Sequence, residues 1–347
     1  WPLGGQTALR PGQVLVISYF DDKLGTATFN GYAYPFITSS LLDAELPYLT
    51  ELTPFTYGIN PDGSLIPLED DMLLSDARQR GVRPVMHLSS LTETGQFDTD
   101  RGALVLTDSA VQKRLILEVQ QTVLRRGYAG VDVDFEYLPG ELASAYAAFL
   151  SRLRRLLWSQ GGFLWAALAP KTSADQPGLL YEGHDYAAVG AAVDAVLLMT
   201  YEWGYSYGPP MAISPIRSMR TVIEYALKEI PAEKLLLGIP NYGYDWQIPY
   251  SQSRKAVSIS NQYAVSLAAR YYAAIRFDES VQAPWFRYVD ERGQEHEVWF
   301  EDARSIRAKL SLVPEYGLRG VGYWNLMRPF PQNWVILNAL YHIREGL

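Results

Sequence analysis

Cysteine is absent from all 347 residues, which excludes disulfides and thiolate metal sites and leaves the redox compartment open. Histidine is scarce. His87, His184, His296 and His342 are scattered along the chain, and none forms a metal-type pair, so no metal and no cofactor is expected. His296, between Glu295 and Glu297, reads as part of a solvated hairpin. Basic charge is in deficit. Lys and Arg total 30 against 38 Asp and Glu, a net charge of −8, so no basic footprint for nucleic acid is visible. Long apolar runs are missing as well. The longest, from Tyr186 to Tyr201, is interrupted by Gly190 and Asp194 and is too short to span a bilayer comfortably, so no membrane span is expected. The chain opens on Trp1 rather than on methionine and reads as processed, so the lack of a leader in it says nothing about export.

What is present is the composition of a soluble globular protein, 48% hydrophobic and 20% charged, on a chain long enough for a large core. The most informative stretch is Gly130-Val131-Asp132-Val133-Asp134-Phe135-Glu136-Tyr137. Three carboxylates occupy alternate positions. On a strand they share one face, roughly 6–7 Å apart, while Val131, Val133 and Phe135 share the other. Unpaired buried charges are costly, so an ordinary buried strand carries no such row. An edge strand with a solvated acidic face would carry one. The flanks favour the buried case. Residues 115–126 look helical, Gly127 and Gly130 punctuate, and a second helical stretch follows Pro139. A strand between two helices belongs to a βα repeat, buried on both faces.

Apolar β-rich runs predict strands at 14–20, 52–59, 82–89, 130–137, 162–169, 195–201, 235–240 and 321–325. Helical periodicity predicts helices at 72–80, 109–126, 142–160, 187–193, 217–230 and 334–344. This alternation predicts the α/β class and a (β/α)8 TIM barrel, with 1–347 as a single unit. Glu136 then lies at the carboxyl end of its strand, where barrel active sites are built. Between the seventh and eighth strands the spacing breaks. Residues 250–299 are predicted to form a small α+β insertion, with a helix capped near Ser260 and a hairpin around Gly293, walling one side of a groove.

The Asp132-x-Asp134-x-Glu136 row after a Gly-aliphatic pair resembles the signature of the family-18 glycoside hydrolases, the chitinase-like retaining enzymes. Their usual pattern is Asp-Gly-x-Asp-x-Asp-x-Glu. Here Ala129 stands at the first Asp, and Phe135 is the aromatic before Glu. Met199-Thr200-Tyr201, Gly238-Ile239-Pro240-Asn241-Tyr242-Gly243 and Gly320-Val321-Gly322-Tyr323-Trp324 look like the later strands of that family. Glu202-Trp203-Gly204, Gly208-Pro209-Pro210, the run from Tyr242 to Trp246 and the run from Pro329 to Trp334 resemble its spore-cortex N-acetylglucosaminidase branch, which acts on peptidoglycan fragments.

The resemblance implies a retaining glycosidase that cleaves β-1,4 bonds at N-acetylglucosamine by substrate-assisted catalysis. It implies Glu136 as general acid and then base, with the substrate's own acetamido oxygen as nucleophile. Asp134 would hold the acetamido N–H, and Asp132 would share a proton with Asp134. Tyr201 would bond the acetamido oxygen, and Trp324 would lie under the reacting sugar. Met199, Asn241, Tyr242, Tyr244 and Tyr19, with Asp21 near it, are expected to line the groove. The partner implied is a peptidoglycan or chitin-like glycan. A monomer is expected, acting outside the cell, at the wall or the spore. A chitinase and a non-catalytic carbohydrate-binding barrel stay open beside this reading, the latter because of Ala129. Gly204-Tyr205-Ser206-Tyr207-Gly208 also matches Gly-x-Ser-x-Gly, but Pro209-Pro210 follows where a nucleophile elbow needs a helix.

Overall fold

The computed structural model describes residues 22–92 and 97–343. Eight parallel strands carry the fold: β1 (Gly25–Ala33), β2 (Glu51–Pro54), β3 (Arg83–Ser89), β4 (Gly130–Asp134), β5 (Phe163–Leu168), β6 (Ala195–Leu198), β7 (Leu235–Pro240) and β8 (Gly320–Trp324). Each pairs with the next, and β8 pairs back onto β1, so the sheet closes into the predicted barrel.

The helix–strand joint that presents β4 follows from local chemistry. Asp108 caps helix Ser109–Arg126 by accepting from the N–H groups of Ala110 and Val111, and Gly127 ends it at φ 68°. Its buried Leu115, Val119 and Val123 join Val131, Val133 and Phe135 of the β4 segment in one apolar layer. Helix Ala143–Trp158 covers the same layer with Tyr146, Phe149, Leu150 and Leu153. At Gly130 a Cβ would stand 2.5 Å from the Phe163 ring, so glycine lets β4 and β5 approach.

Two strand expectations are corrected. The first place in the barrel belongs to Gly25–Ala33; residues 14–20 lie outside the described residues. The strand expected over 52–59 is shorter, Glu51–Pro54, and Gly58–Ile59 instead pairs with Leu65–Ile66 in a small separate sheet. The closing helix is also shorter, Pro331–Leu340. It gives way to a strand, Tyr341–Ile343, which pairs in parallel with Gly25–Ala27. Tyr341 is the reason: it is buried, packs edge-on to Phe29 at 5.3 Å and donates to the Leu310 carbonyl at 2.6 Å. Lys23 ties the same joint, with Nζ donating to the carbonyls of Asn338 and Tyr341.

The insertion between β7 and β8 is a five-stranded antiparallel sheet with helix Asn261–Arg270. It begins at Gly243, before the expected residue 250, because strand Gly243–Ile248 follows β7 almost directly and pairs on one side with Val257–Ile259 and on the other with the central strand Glu295–Trp299. Ser260 caps the helix and Gly293 turns the hairpin at φ 78°, as expected. His296 is not solvated. The hairpin folds onto strand Gly243–Ile248, so His296 is buried against Tyr288 at 4.6 Å, with Nδ1 2.8 Å from Asp245. Among the described residues no helix is long and apolar enough to cross a membrane.

Candidate active site

The acid row lies inside the barrel. In register, Asp132 is flanked by His87 of β3 and Trp165 of β5, and Asp134 by Ser89. Strand pairing stops at Asp134, and Glu136 emerges just past the carboxyl end of β4. The outward Phe135 ring stacks between Tyr146 (5.7 Å) and Phe149 (5.6 Å). Its carbonyl accepts from His184 Nε2 at 2.9 Å, while His184 Nδ1 accepts from the Ala169 N–H at 3.0 Å. Those two bonds fix the imidazole tautomer and clamp the backbone beside the acid to the end of β5. Burial pulls the His184 pKa down to about 4, so the ring is neutral.

Burial sets the electrostatics of the row. Asp132 is raised to about 6 by desolvation, partly offset by the Tyr32 hydroxyl, which donates to its Oδ2 at 2.6 Å. Asp134 is raised well above the ordinary carboxylate range by desolvation, then by the charges of Glu136 and Asp132. No direct hydrogen bond joins Asp132 and Asp134 among the described residues, and one oxygen of each is buried without a partner. Their coupling therefore runs through charge. Glu136 is raised to about 7 by burial. Its carboxyl makes no hydrogen bond or ion pair among the described residues and faces a cavity of about 470 Å³.

That cavity is lined by five of the ten expected site residues. Met199, Tyr201 and Trp324 line it together with Asp134 and Glu136. The Tyr201 hydroxyl has no hydrogen-bond partner among the described residues, and burial keeps it protonated. At Gly238 a Cβ would meet the Tyr201 ring at 2.5 Å, so the glycine makes room for that ring. Trp324 packs edge-on to Tyr32 (5.7 Å) and Phe55 (4.9 Å). The Asn241, Tyr242 and Tyr244 side chains are not in this cavity. They line a neighbouring recess of about 270 Å³ that shares Glu202 and Trp324 with it. Tyr19 and Asp21 lie outside the described residues.

Several residues escaped sequence reasoning. His87 lies at the cavity floor, with Nδ1 2.6 Å from Thr56 Oγ1 and Nε2 3.7 Å from Asp134 and 3.9 Å from Asp132. Burial holds it neutral, with its pKa near 3. A lone polar residue inside an apolar strand was the available signal. Tyr32 had none, because its strand was placed elsewhere. Glu202, at φ 65°, accepts from the hydroxyls of Tyr242 and Tyr244 and sits between the two cavities. Tyr137, Tyr181 and Tyr205 complete an aromatic rim. Among the described residues no group of three or more His, Asp or Glu side chains could hold a metal ion.

A closed parallel barrel, an acid row on one strand and an aromatic-walled cavity at the strands' carboxyl ends define a glycosidase barrel. Comparison with known proteins agrees. Residues 94–328 match the profile of the glycosyl hydrolases family 18. The cortical fragment-lytic enzyme of Bacillus subtilis (strain 168) is 44% identical over 298 residues, covering 86% of this chain and 69% of that protein. The crystal structure of the Bacillus megaterium QM B1551 spore cortex-lytic enzyme SleL superposes with a TM-score of 0.90 at 40% identity, over 98% of this chain and 80% of that one. A chitinase from Chromobacterium violaceum ATCC 12472 superposes with a TM-score of 0.82 at 25% identity, over 90% of this chain and 98% of that one. The chain belongs to the glycosyl hydrolases family 18.

Proposed function

We propose that this glycosidase cleaves β-1,4 bonds at N-acetylglucosamine in spore-cortex peptidoglycan, with retention and by substrate-assisted catalysis. The observation that carries the reading is Glu136: a half-buried carboxyl with no protein partner among the described residues, its pKa lifted to about 7, beside Asp134 and Tyr201 in one cavity. A group poised near working pH can both give and take a proton. Glu136 donates its proton to the glycosidic oxygen as the C1–O bond breaks. The acetamido carbonyl oxygen forms a bond to C1, giving an oxazolinium ion. Asp134 accepts from the acetamido N–H and offsets its positive charge, and the Tyr201 hydroxyl donates to the acetamido oxygen. Trp324 supports the sugar face. The Glu136 carboxylate then takes a proton from water, whose oxygen bonds to C1 as the ring reopens. Asp132, held by Tyr32, sustains the charge state of Asp134. Ala129 supplies no carboxylate below the row, which leaves Tyr32 as the Asp132 hydrogen-bond partner among the described residues.

The names of the relatives support a cortex substrate and action at the spore. The similarity to a chitinase favours a second reading, hydrolysis of chitin oligomers by the same steps. An intact Glu136 stands against a non-catalytic barrel. Mass spectrometry of products from purified cortex peptidoglycan and, in parallel, from chitin oligomers decides. Wild type should release cortex fragments with N-acetylglucosamine at the new reducing end, and Glu136→Gln should lose about 10²–10⁴-fold in rate. Equal rates for the two proteins would refute the acid assignment, and cleavage of chitin alone would move the substrate to the second reading.

A further inference from the structure

We propose that Lys171 and His184 are positioning residues for the general acid, acting together through the Phe135 carbonyl to hold Glu136 at the cavity. The inference rests on the reading of Glu136 as the acid and adds to it two residues that do not line the cavity. Glu136 stands just past the point where β4 stops pairing, so no neighbouring strand fixes its backbone. The Phe135 carbonyl belongs to the peptide unit that carries the Glu136 N–H. Whatever that carbonyl bonds to therefore sets where the acid sits.

The donor is the His184 ring, at 2.9 Å. His184 ends a segment, 170–184, that leaves β5 and supplies Pro170, Leu180 and Tyr181 to the cavity wall. Lys171 ties this segment together. It is 3% exposed, and its Nζ donates to the carbonyls of Ala174 at 2.9 Å and of His184 at 3.0 Å. Its backbone N–H donates to the Tyr186 hydroxyl at 3.0 Å, whose own hydrogen goes to the Ala169 carbonyl at 2.5 Å. A buried ammonium usually sits against a carboxylate. Among the described residues Lys171 makes no ion pair, and Asp185, Asp175 and Glu182 act on its charge only at longer range. An apolar side chain would fill the same space without the desolvation cost, so packing alone does not account for the lysine. At Gly183 a Cβ would collide with Leu138, so the glycine lets the segment lie against the chain two residues past Glu136. Hydrogen bonds thus run from Lys171 through His184 to Phe135 and join the cavity wall to the acid. Among the described ionisable groups that line the cavity with Glu136, Tyr181 alone belongs to this segment. Asp134, His87, Glu202 and the other tyrosines lie on other elements.

The test reads the Glu136 pKa directly, by carbon-13 NMR of carboxyl-labelled glutamate, with the signal assigned by its loss in Glu136→Gln. It is paired with kcat and KM on whichever of cortex fragments and chitin oligomers wild type cleaves. His184→Asn keeps an acceptor for the Ala169 N–H and loses the donor to Phe135. His184→Gln can still reach Phe135 with its amide N–H. Lys171→Met keeps the bulk of the side chain and loses its donors. His184→Asn and Lys171→Met should each let the carboxyl move toward water. Its pKa should then fall from about 7 toward the ordinary value near 4.3, by about one unit or more, and kcat should drop roughly 10- to 100-fold. The double variant should lose no more than the worse single one, because both act through one carbonyl. His184→Gln should stay near wild type. An unmoved Glu136 pKa in both single variants, with only their melting temperatures lowered, would overturn the proposal, as would losses that add in the double variant. Where a variant fails to fold, the unsubstituted protein decides. Nitrogen-15 spectra should show the Nε2–H tautomer of His184, unprotonated down to about pH 5, and a ring titrating near 6.5 would overturn the proposal. A Glu136 pKa that moves with no change in kcat would refute Glu136 as the acid and keep the positioning; an unmoved pKa beside an inert Glu136→Gln would do the reverse.

Discussion

His87 Nε2 faces Asp134 Oδ2 across 3.7 Å at the floor of the barrel, with both groups buried. In the tautomer in which the Thr56 hydroxyl donates to Nδ1, the ring hydrogen sits on Nε2 and is turned toward Asp134 and, at 3.9 Å, Asp132. The neutral imidazole thus lowers the cost of negative charge on the pair. His87→Leu should raise the pKa values of both carboxylates and shift the acid limb of the kcat/KM–pH profile upward, with roughly tenfold loss at neutral pH. A profile that drops without moving would mean that His87 only fills space.

Tyr32→Phe removes the 2.6 Å bond to Asp132 and nothing else of size. Asp132 already has one oxygen without a partner, so the variant leaves a buried carboxylate with no hydrogen bond among the described residues. The loss should be about 1–3 kcal/mol at pH 8, where the group would be charged, and smaller at pH 5, where it is protonated. Urea melts at the two pH values check this. A deficit independent of pH would place the effect on packing alone.

Glu136 sets the alkaline side of activity. Its folded pKa of about 7 means that the proton-donating form dominates below that pH and is lost above it. On a neutral chitin oligomer, kcat/KM should fall about tenfold per pH unit above the limb. A rate that stays level to pH 9 would show that another group delivers the proton.

Glu45 offers a test of linkage away from the chemistry. It is buried at the carboxyl end of helix Ser39–Glu45, where the helix dipole also disfavours negative charge. Burial raises its pKa to about 9, against a weak 3.4 Å bond from Trp334. A folded pKa above the unfolded one gives stability at low pH that drains as pH climbs toward 9. Glu45→Gln should therefore match wild type near pH 5 and exceed it at pH 9 by at least about 1 kcal/mol, a few degrees in Tm. The reverse order at pH 9 would contradict the assignment.

The acid row was legible because a strand repeats every two residues, and charge on one parity with Val and Phe on the other has few structural meanings. The strands from β5 to β7 were legible as apolar runs. The first barrel strand was not. Its inward residues Thr28, Asn30 and Tyr32 are polar, and Gly25 and Gly31 thin it further, so local propensity hides a strand that long-range pairing with β8 and β2 creates. Tyr32 was lost with it. The environments of His87, His184 and His296 depend on contacts 31, 49 and 51 residues away, which no local pattern reports. The helix at the carboxyl end overran for a similar reason: Tyr341 is drawn into a strand by Phe29 and Leu310, not by its neighbours.

The strand Tyr341–Ile343 lies parallel to Gly25–Ala27, so the two ends of the described chain leave this pair in opposite directions. Tension applied through those ends loads the pair's hydrogen bonds together, in shear, rather than peeling them one by one. Lys23, anchored on Asn338 and Tyr341, resists the same sliding. Stretched between two fixed points, the barrel would meet the load first at this clamp, and its acid-bearing strand would feel it only after the clamp had slipped.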